Sequence, residues 1–373
     1  MIGIRDHLAR WNALIDASGD LRAMSVLRIL LGPIVMLHLE ETFRNAANGI
    51  IYSDRFYLPY AEWYPEASRA LYQPMLWIAG IAAIAMSIGV LTRFATVYTA
   101  LFVGYNIFLS KTHFAHNRAF LLILLITVAV IPTGRYYSFD AWFARRFRAE
   151  RPPPKSDMPL WPLWLVRFEV AAVYCASATS KLIDQDWWSG RVLMRRAIDN
   201  RKLALDDGAP AWLMNILADE TFQWVFSKTA VLTEFVIALG FVHRRTRLFA
   251  IWVAIPFHMA IQIGARVQVF SWAALAALII WVTPRSRDRQ LIVPQGHPLG
   301  RLVPLLDWFG RFEVVHDDVE SVVLVDRAID GGLSPTRRDT DAVWTTLSHL
   351  PATFWLAAPA LALTRLRALR SPD

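Results

Sequence analysis

Apolar and polar stretches alternate along the first three-quarters of this chain in a regular way. Eight apolar runs fall at residues 24–39, 74–91, 94–109, 119–132, from about 160 to 181, 229–242, 248–264 and 267–284. Runs of this length and polarity predict membrane helices, although several fall short of the roughly 20 residues of a full span. The connections have their own character. Residues 40–73 are rich in Tyr, Phe and Trp, as in a lid on the membrane surface. Residues 134–160 are basic, with a triple proline. Residues 182–227 form a long polar connection that predicts short helices on the surface.

The pattern changes at both ends. Residues 1–20 predict an interfacial amphipathic helix, with Ile2, Ile4, Leu8, Trp11 and Leu14 on one face. After residue 285 the chain becomes polar. It carries strand-like runs at 312–315 and 322–325, a Gly-Gly turn at 331–332, a helical pattern to 347 and an apolar, basic surface helix at 355–369. The fold class expected is therefore an all-α polytopic membrane helical bundle of about eight transmembrane helices with a small C-terminal α+β tail. The domains expected are 1–20, 21–285 and 286–373.

Composition agrees with a membrane protein. Of 373 residues, 55% are hydrophobic and 19% charged, against roughly 25% charged in soluble domains. The 16 tryptophans cluster near the ends of apolar runs, like an interfacial belt. The net charge of +8 suits cytoplasmic loops and lipid head groups, and no basic patch interleaved with aromatics suggests nucleic acid. The single cysteine, Cys175, excludes an internal disulfide, a CxxC motif and a thiolate metal cluster. The N-terminus lacks an h-region with a small-residue cleavage site, so no removable signal peptide is expected.

The stretch RFEVAAVYCASATSKLIDQDWWSG, residues 167–190, departs from the apolar rule. On a helix, Arg167, Val170, Tyr174, Ser177 and Lys181 share one face, while Phe168, Ala171, Ala172 and Ala178 are expected to meet lipid or other helices. Ionisable groups within a membrane helix are costly and usually face a bundle interior or a wet cavity. A lysine ending such a helix also has a bland reading, in which it snorkels to the head groups.

With eight spans, the basic 134–160 loop, the basic turn at 243–247 and both termini fall on one side. The positive-inside rule makes that side cytoplasmic. The expected location is the cell inner membrane. The polar membrane residues then gather at the extracytoplasmic leaflet: His113, His116 and Asn117 before the fourth helix, Lys181 with its DQDWW loop, and His258 and Gln262 one turn apart. There Lys181 is a candidate base or nucleophile. His116 and His258 are candidate hydrogen-bond donors or proton relays, and each also reads as a loop or packing histidine. No HxxxH or HExxH spacing supports a metal, and none is predicted. Glu234 inside the sixth helix needs a partner, and Arg167 is the one expected, as a structural ion pair. Asp186 and Trp187 are expected to cap or anchor the loop.

These residues together resemble the horizontally transferred transmembrane (HTTM) domain family, which includes the vitamin K-dependent gamma-carboxylases. The resemblance rests on HNRAFLLILL at 116–125, PTGRYYSFD at 132–140, the 167–190 stretch, TEFVIALGFV and FHMAIQIGARVQVFSW. It implies that Lys181 is the base that deprotonates reduced vitamin K or another lipid quinone, in a reaction using O2 and CO2 to carboxylate a glutamate. It also implies that His116 assists electrostatically and that Asn117, Arg167, Tyr174, His258 and Gln262 line the site. The long lumenal domain of the carboxylases is missing. Residues 305–369 resemble, more weakly, the C-terminal part of a DCC-family thioredoxin-like oxidoreductase without its two-cysteine motif, hence truncated and redox-dead. The partners implied are membrane lipid, a lipid quinol and a small secreted peptide. The competing reading is a non-catalytic membrane factor for maturation or export of such a peptide.

Overall fold

The computed structural model describes residues 8–9, 12–13 and 17–364, apart from 53–57, 112–113, 149–157, 207, 244–245, 266–268, 282–288, 309, 327–335, 355, 358 and 362. Ile2, Ile4, Trp11 and Leu14 of the apolar face expected of residues 1–20, the Gly-Gly turn at 331–332 and His113 lie outside the described residues. So does much of the 355–369 segment.

Each of the eight apolar runs holds a helix within its described residues. In chain order the helices are α1 (Arg22–Ala47), α2 (Arg69–Ile88), α3 (Thr92–Phe108), α4 (His116–Val130), the short α5 (Phe139–Phe147) and α6 (Trp161–Ile183). They continue with α7 (Gln185–Trp188), α8 (Arg191–Asp206), α9 (Ala211–Leu217), α10 (Glu220–Val242), α11 (Arg247–Ala265) and α12 (Val269–Ala277), which ends in a 3-10 turn, Leu278–Trp281. Among the described residues, α1, α2 and α10 are long and apolar enough to cross a membrane by length and composition. Residues 116–130, 249–263 and 269–281 form shorter apolar helices.

Helix α1 is the axis of the bundle. Leu27, Leu31, Val35 and Leu39 are fully buried among Leu76 and Met86 of α2, Leu121 and Leu125 of α4, and Ala273 and Ala277 of α12. Large apolar side chains on the outer helices stay exposed, including Ile81, Leu101, Leu232 and Leu239. Apolar groups both inside and outside are what a lipid-embedded bundle requires.

Short polar residues set the helix ends. Asp20 accepts from the Arg22 backbone N–H at 2.9 Å and pairs with its guanidinium, both side chains buried. Asp140 accepts from the N–H groups of Leu91 and Thr92 at 2.9 and 2.7 Å and so caps α3. Ser138 caps α5 through the Ala141 N–H, and Asp219 caps α10 through the Phe222 N–H. That last cap starts the sixth apolar helix at Glu220, nine residues before the apolar run itself. Helix α2 ends at Gly89, whose φ of +81° favours glycine. Arg28, fully buried in α1, donates to the carbonyls of Met86, Ser87 and Tyr137. An arginine inside an apolar helix thus serves carbonyls that the end of α2 and the approach to α5 leave without helical partners.

Ser18–Gly19 (β1) pairs antiparallel with Met158–Pro159 (β2), which ties the chain before α1 to the chain before α6. The tail is α+β, as expected. It holds β3 (Arg289–Pro294), α13 (Leu299–Leu306), β4 (Phe312–Asp317), β5 (Val323–Asp326), β6 (Arg337–Arg338) and α14 (Asp339–Leu347). The sheet order is β4-β3-β5-β6, with β3 parallel to β4 and the other pairs antiparallel. Leu291, Val293, Val303, Leu324 and Ala342 form its own core. Tyr137 donates to the Trp308 carbonyl, and Phe354 is buried in the core of the bundle, so the tail is docked against it.

Candidate functional site

Helix α6 carries a polar ladder of about 21 Å, from the 14 residues between Arg167 and Lys181 at 1.5 Å each. Helices α10 and α11 and the turn after α12 answer it rung by rung. At the top, Lys181 Nζ lies 2.6 Å from Glu234 Oε1 on α10. Ser177 Oγ donates to the same oxygen at 3.0 Å. The Trp187 ring covers the ammonium, with its centroid 4.8 Å from Nζ. The lysine side chain is 16% exposed and that of Glu234 only 2%, so the pair is nearly closed from the surface but reachable from the lysine side. Glu234 Oε2 is buried and, among the described residues, has no hydrogen-bond partner.

Less than two turns below, the Tyr174 hydroxyl lies 2.5 Å from His258 Nε2 on α11, with both rings buried. Nδ1 of His258 has no partner among the described residues, nor has Oε1 of Gln262 one turn on.

At the foot, Arg167 donates to the Ile280 carbonyl at 2.9 Å and lies over the rings of Trp164 and Trp281. This corrects the ion pair expected from sequence. Glu234 is paired with Lys181, and Arg167 is held two rungs away by a backbone carbonyl and two indoles. The spacing along α6 allowed either cation, but only one reaches Glu234.

Ala178, expected on the far face against lipid or other helices, is fully buried, because eleven residues on from Arg167 it returns to within about 20° of it around the helix. Two further expectations change. The loop is capped by Asp184, which accepts from Asp186 N–H at 2.9 Å, while Asp186 pairs with Arg191 at 3.0 Å. Trp187 is the anchor, through Lys181. His116 starts α4, is exposed and packs on Phe114. Among the described residues, no hydrogen bond or ring contact joins it to Lys181. Asn117 accepts from the Arg118 N–H at 2.9 Å, and Arg118 pairs with Glu41 of α1.

One carboxylate escaped the sequence reading. Glu169 on α6 accepts from Thr127 Oγ1 on α4 at 2.8 Å. The signal was available, since an acid inside an apolar run demands a donor. Among the described residues, no cluster of three or more His, Cys, Asp or Glu side chains is arranged to hold a metal.

A family model described as the HTTM domain matches residues 17–285. The chain belongs to the HTTM domain family. The match spans α1 to α12, so the HTTM domain is the helical bundle and the ladder lies inside it. Family membership and the apolar helices agree with a membrane protein related to the vitamin K-dependent carboxylases. No solved structure matches this HTTM protein.

Proposed function

We propose that this HTTM protein is a membrane enzyme of the carboxylase type, with Lys181 as the base that accepts a proton from a reduced lipid quinone. The observation that carries the reading is the Lys181–Glu234–Ser177 constellation beneath Trp187. It is a lysine held by a buried carboxylate at the end of a membrane helix, rather than one free to snorkel. Glu234 offers a second seat for the proton. Transfer from Nζ to the carboxylate leaves a neutral amine on the accessible side of the pair.

Reduced vitamin K or another lipid quinone fits the residues present. Its hydroxyl needs an acceptor, which Nζ supplies, and Glu234 Oε2 is a buried acceptor that has no partner among the described residues. Its apolar tail needs a seat. A groove of about 740 Å³ between α6 and α10 is lined by Phe168, Ala172, Cys175, Ile183 and Leu239, and Ile183 lies two residues from Lys181. When bound, such a quinol supplies the reducing equivalents that O2 consumes and that drive CO2 onto a glutamate carbon. In this reading Tyr174 and His258 form a hydrogen-bonded pair able to hold or pass a proton below the lysine. His116 acts from the outer surface near the substrate, as an electrostatic helper rather than a neighbour of Lys181. The site faces the extracytoplasmic leaflet of the inner membrane, and the acceptor is a glutamate in a small secreted peptide or a related acid. The decisive experiment is mass spectrometry of peptides encoded beside this protein, produced with and without it. A gain of one CO2 per modified glutamate is expected. Unmodified peptides whose export still depends on the protein favour the maturation-factor reading instead.

A further inference from the structure

A second cavity, of about 680 Å³, lies at the other end of the bundle, between the start of α3, the end of α4 and the short helix α5. Its lining brings four guanidinium groups together: Arg93, Arg135, Arg145 and Arg148. The one carboxylate in the lining, Asp140, is already spent on the N–H groups of Leu91 and Thr92 and on the Thr92 hydroxyl at 2.7 Å. Arg135 has a contact at 2.9 Å with Met158 Sδ, a weak acceptor. Among the described residues, none of these four arginines has an ion pair. Four cations thus border one space, and the described residues give none of them a carboxylate partner.

Helix α5 supplies an independent observation. None of its residues is buried. Phe139, Trp142, Phe143 and Phe147 are all large, aromatic and 40–62% exposed. Phe139 packs on Trp142, and Phe143 on Phe147, so they form one aromatic surface. A helix with that surface and basic residues beside it is built to lie at the boundary between acyl chains and head groups. It sets the cavity at head-group depth. The lining also holds a run of apolar residues, Val128 to Pro132, at and just past the end of α4.

We propose that this cavity binds the phosphate of an anionic phospholipid head group from the surrounding leaflet. Guanidinium groups hold phosphate oxygens by paired, charge-assisted hydrogen bonds. The apolar run and the aromatic face of α5 receive the glycerol and the first acyl carbons, which distinguishes a lipid from a free phosphate. The proposal is independent of the chemistry at Lys181, which lies at the opposite end of α6.

The test is native mass spectrometry of the full chain in detergent, with phosphatidylglycerol or phosphatidylcholine added. The wild type is expected to retain phosphatidylglycerol in preference, and a variant with all four arginines changed to glutamine to lose it by at least about tenfold, since each basic residue contributes roughly fivefold at an anionic surface. The four-lysine variant should retain binding in part. If the glutamine variant does not fold, the single exposed changes Arg145→Gln and Arg148→Gln should each weaken retention. Changing Arg191, Arg195 and Arg196 of α8 to glutamine should leave it intact. Equal retention of both lipids by the wild type, or unchanged retention by the glutamine variant, overturns the proposal. Full displacement of the lipid by millimolar inorganic phosphate or glycerol phosphate overturns the lipid as the source.

Discussion

At the residue scale, Lys181 and Glu234 have to be understood as a unit. Removing one partner of a buried pair strands the other charge, at a cost of about 3–5 kcal/mol, whereas replacing both by apolar groups is often neutral. Lys181→Met alone is therefore expected to lower the melting temperature in detergent sharply, and Lys181→Met with Glu234→Leu to recover most of it. Similar losses in the single and double variants would show that the pair does not hold the helices together. Lys181→Arg separates chemistry from structure. It keeps the positive charge but removes a group that surrenders its proton usefully, so turnover should vanish at normal membrane abundance. Turnover near wild type would remove the catalytic assignment. The sequence identified Lys181, Tyr174 and His258 because they break an apolar pattern. It did not show that Lys181 takes Glu234, because the partners are 53 residues apart and Arg167 lies on the same helical face. Their choice depends on how α6 rotates against α10.

The element scale was more legible, because a helix in lipid needs little beyond an apolar run and two ends. The runs predicted the helices, but the ends depended on capping residues: Asp219 stands directly before α10 and was passed over, whereas Asp140, which caps α3, comes 48 residues after Thr92 and was not legible as its cap. Strand β3 was missed although Leu291 and Val293 alternate with half-buried neighbours, because it follows closely on the last membrane helix. The turn between α2 and α3 gives a direct test. A Cβ at Gly89 would lie 2.3 Å from Ser138 Cβ, at a φ only glycine adopts freely. Gly89→Ala should cost about 1–3 kcal/mol for the backbone alone, with the clash added, and should be read as reduced folded yield and thermal stability. A stability equal to wild type would mean that α5 does not pack on this turn.

The tail offers a pH test at the same scale. His349 donates from Nδ1 to the Thr345 carbonyl at 2.6 Å. Burial holds its pKa well below the ordinary value, and the charges of Arg289, Arg311 and Arg337 push it further down. The unfolded tail then binds a proton below about pH 6.5 that the folded tail refuses. Stability is present above that pH and is lost as pH falls, by up to about 1.4 kcal/mol per unit. Limited proteolysis of the tail should accelerate at pH 5.5 relative to pH 7.5, and His349→Gln should flatten the difference. An unchanged ratio in that variant would assign the acid sensitivity elsewhere.

For the whole molecule, the contacts fix which helix ends lie together. Glu169 near the start of α6 meets Thr127 near the end of α4, and Arg247 at the start of α11 shares the Trp281 ring with Arg167. Helices α6 and α11 therefore run in the same direction, and Lys181 and His258 approach one end while the arginine cavity and the tail occupy the other. The polar groups gathered on one side in the sequence reading because helices alternate in direction, which needs only a correct order of runs. Which end faces the cytoplasm rests on the arginine bias, and labelling decides it. In a Cys175→Ala background, single cysteines replacing Arg148 just after α5, Leu205 on α8 and Asp318 in the tail are all at exposed positions. A membrane-impermeant maleimide applied to intact cells should label the α8 position alone. The α5 and tail positions should react only after permeabilisation, because Tyr137 and Trp308 hold the tail to the α5 end. Labelling of residues 148 and 205 from the same side would mean that α6 does not cross the membrane, and the ladder from Arg167 to Lys181 would then lie along the surface instead of through the bilayer.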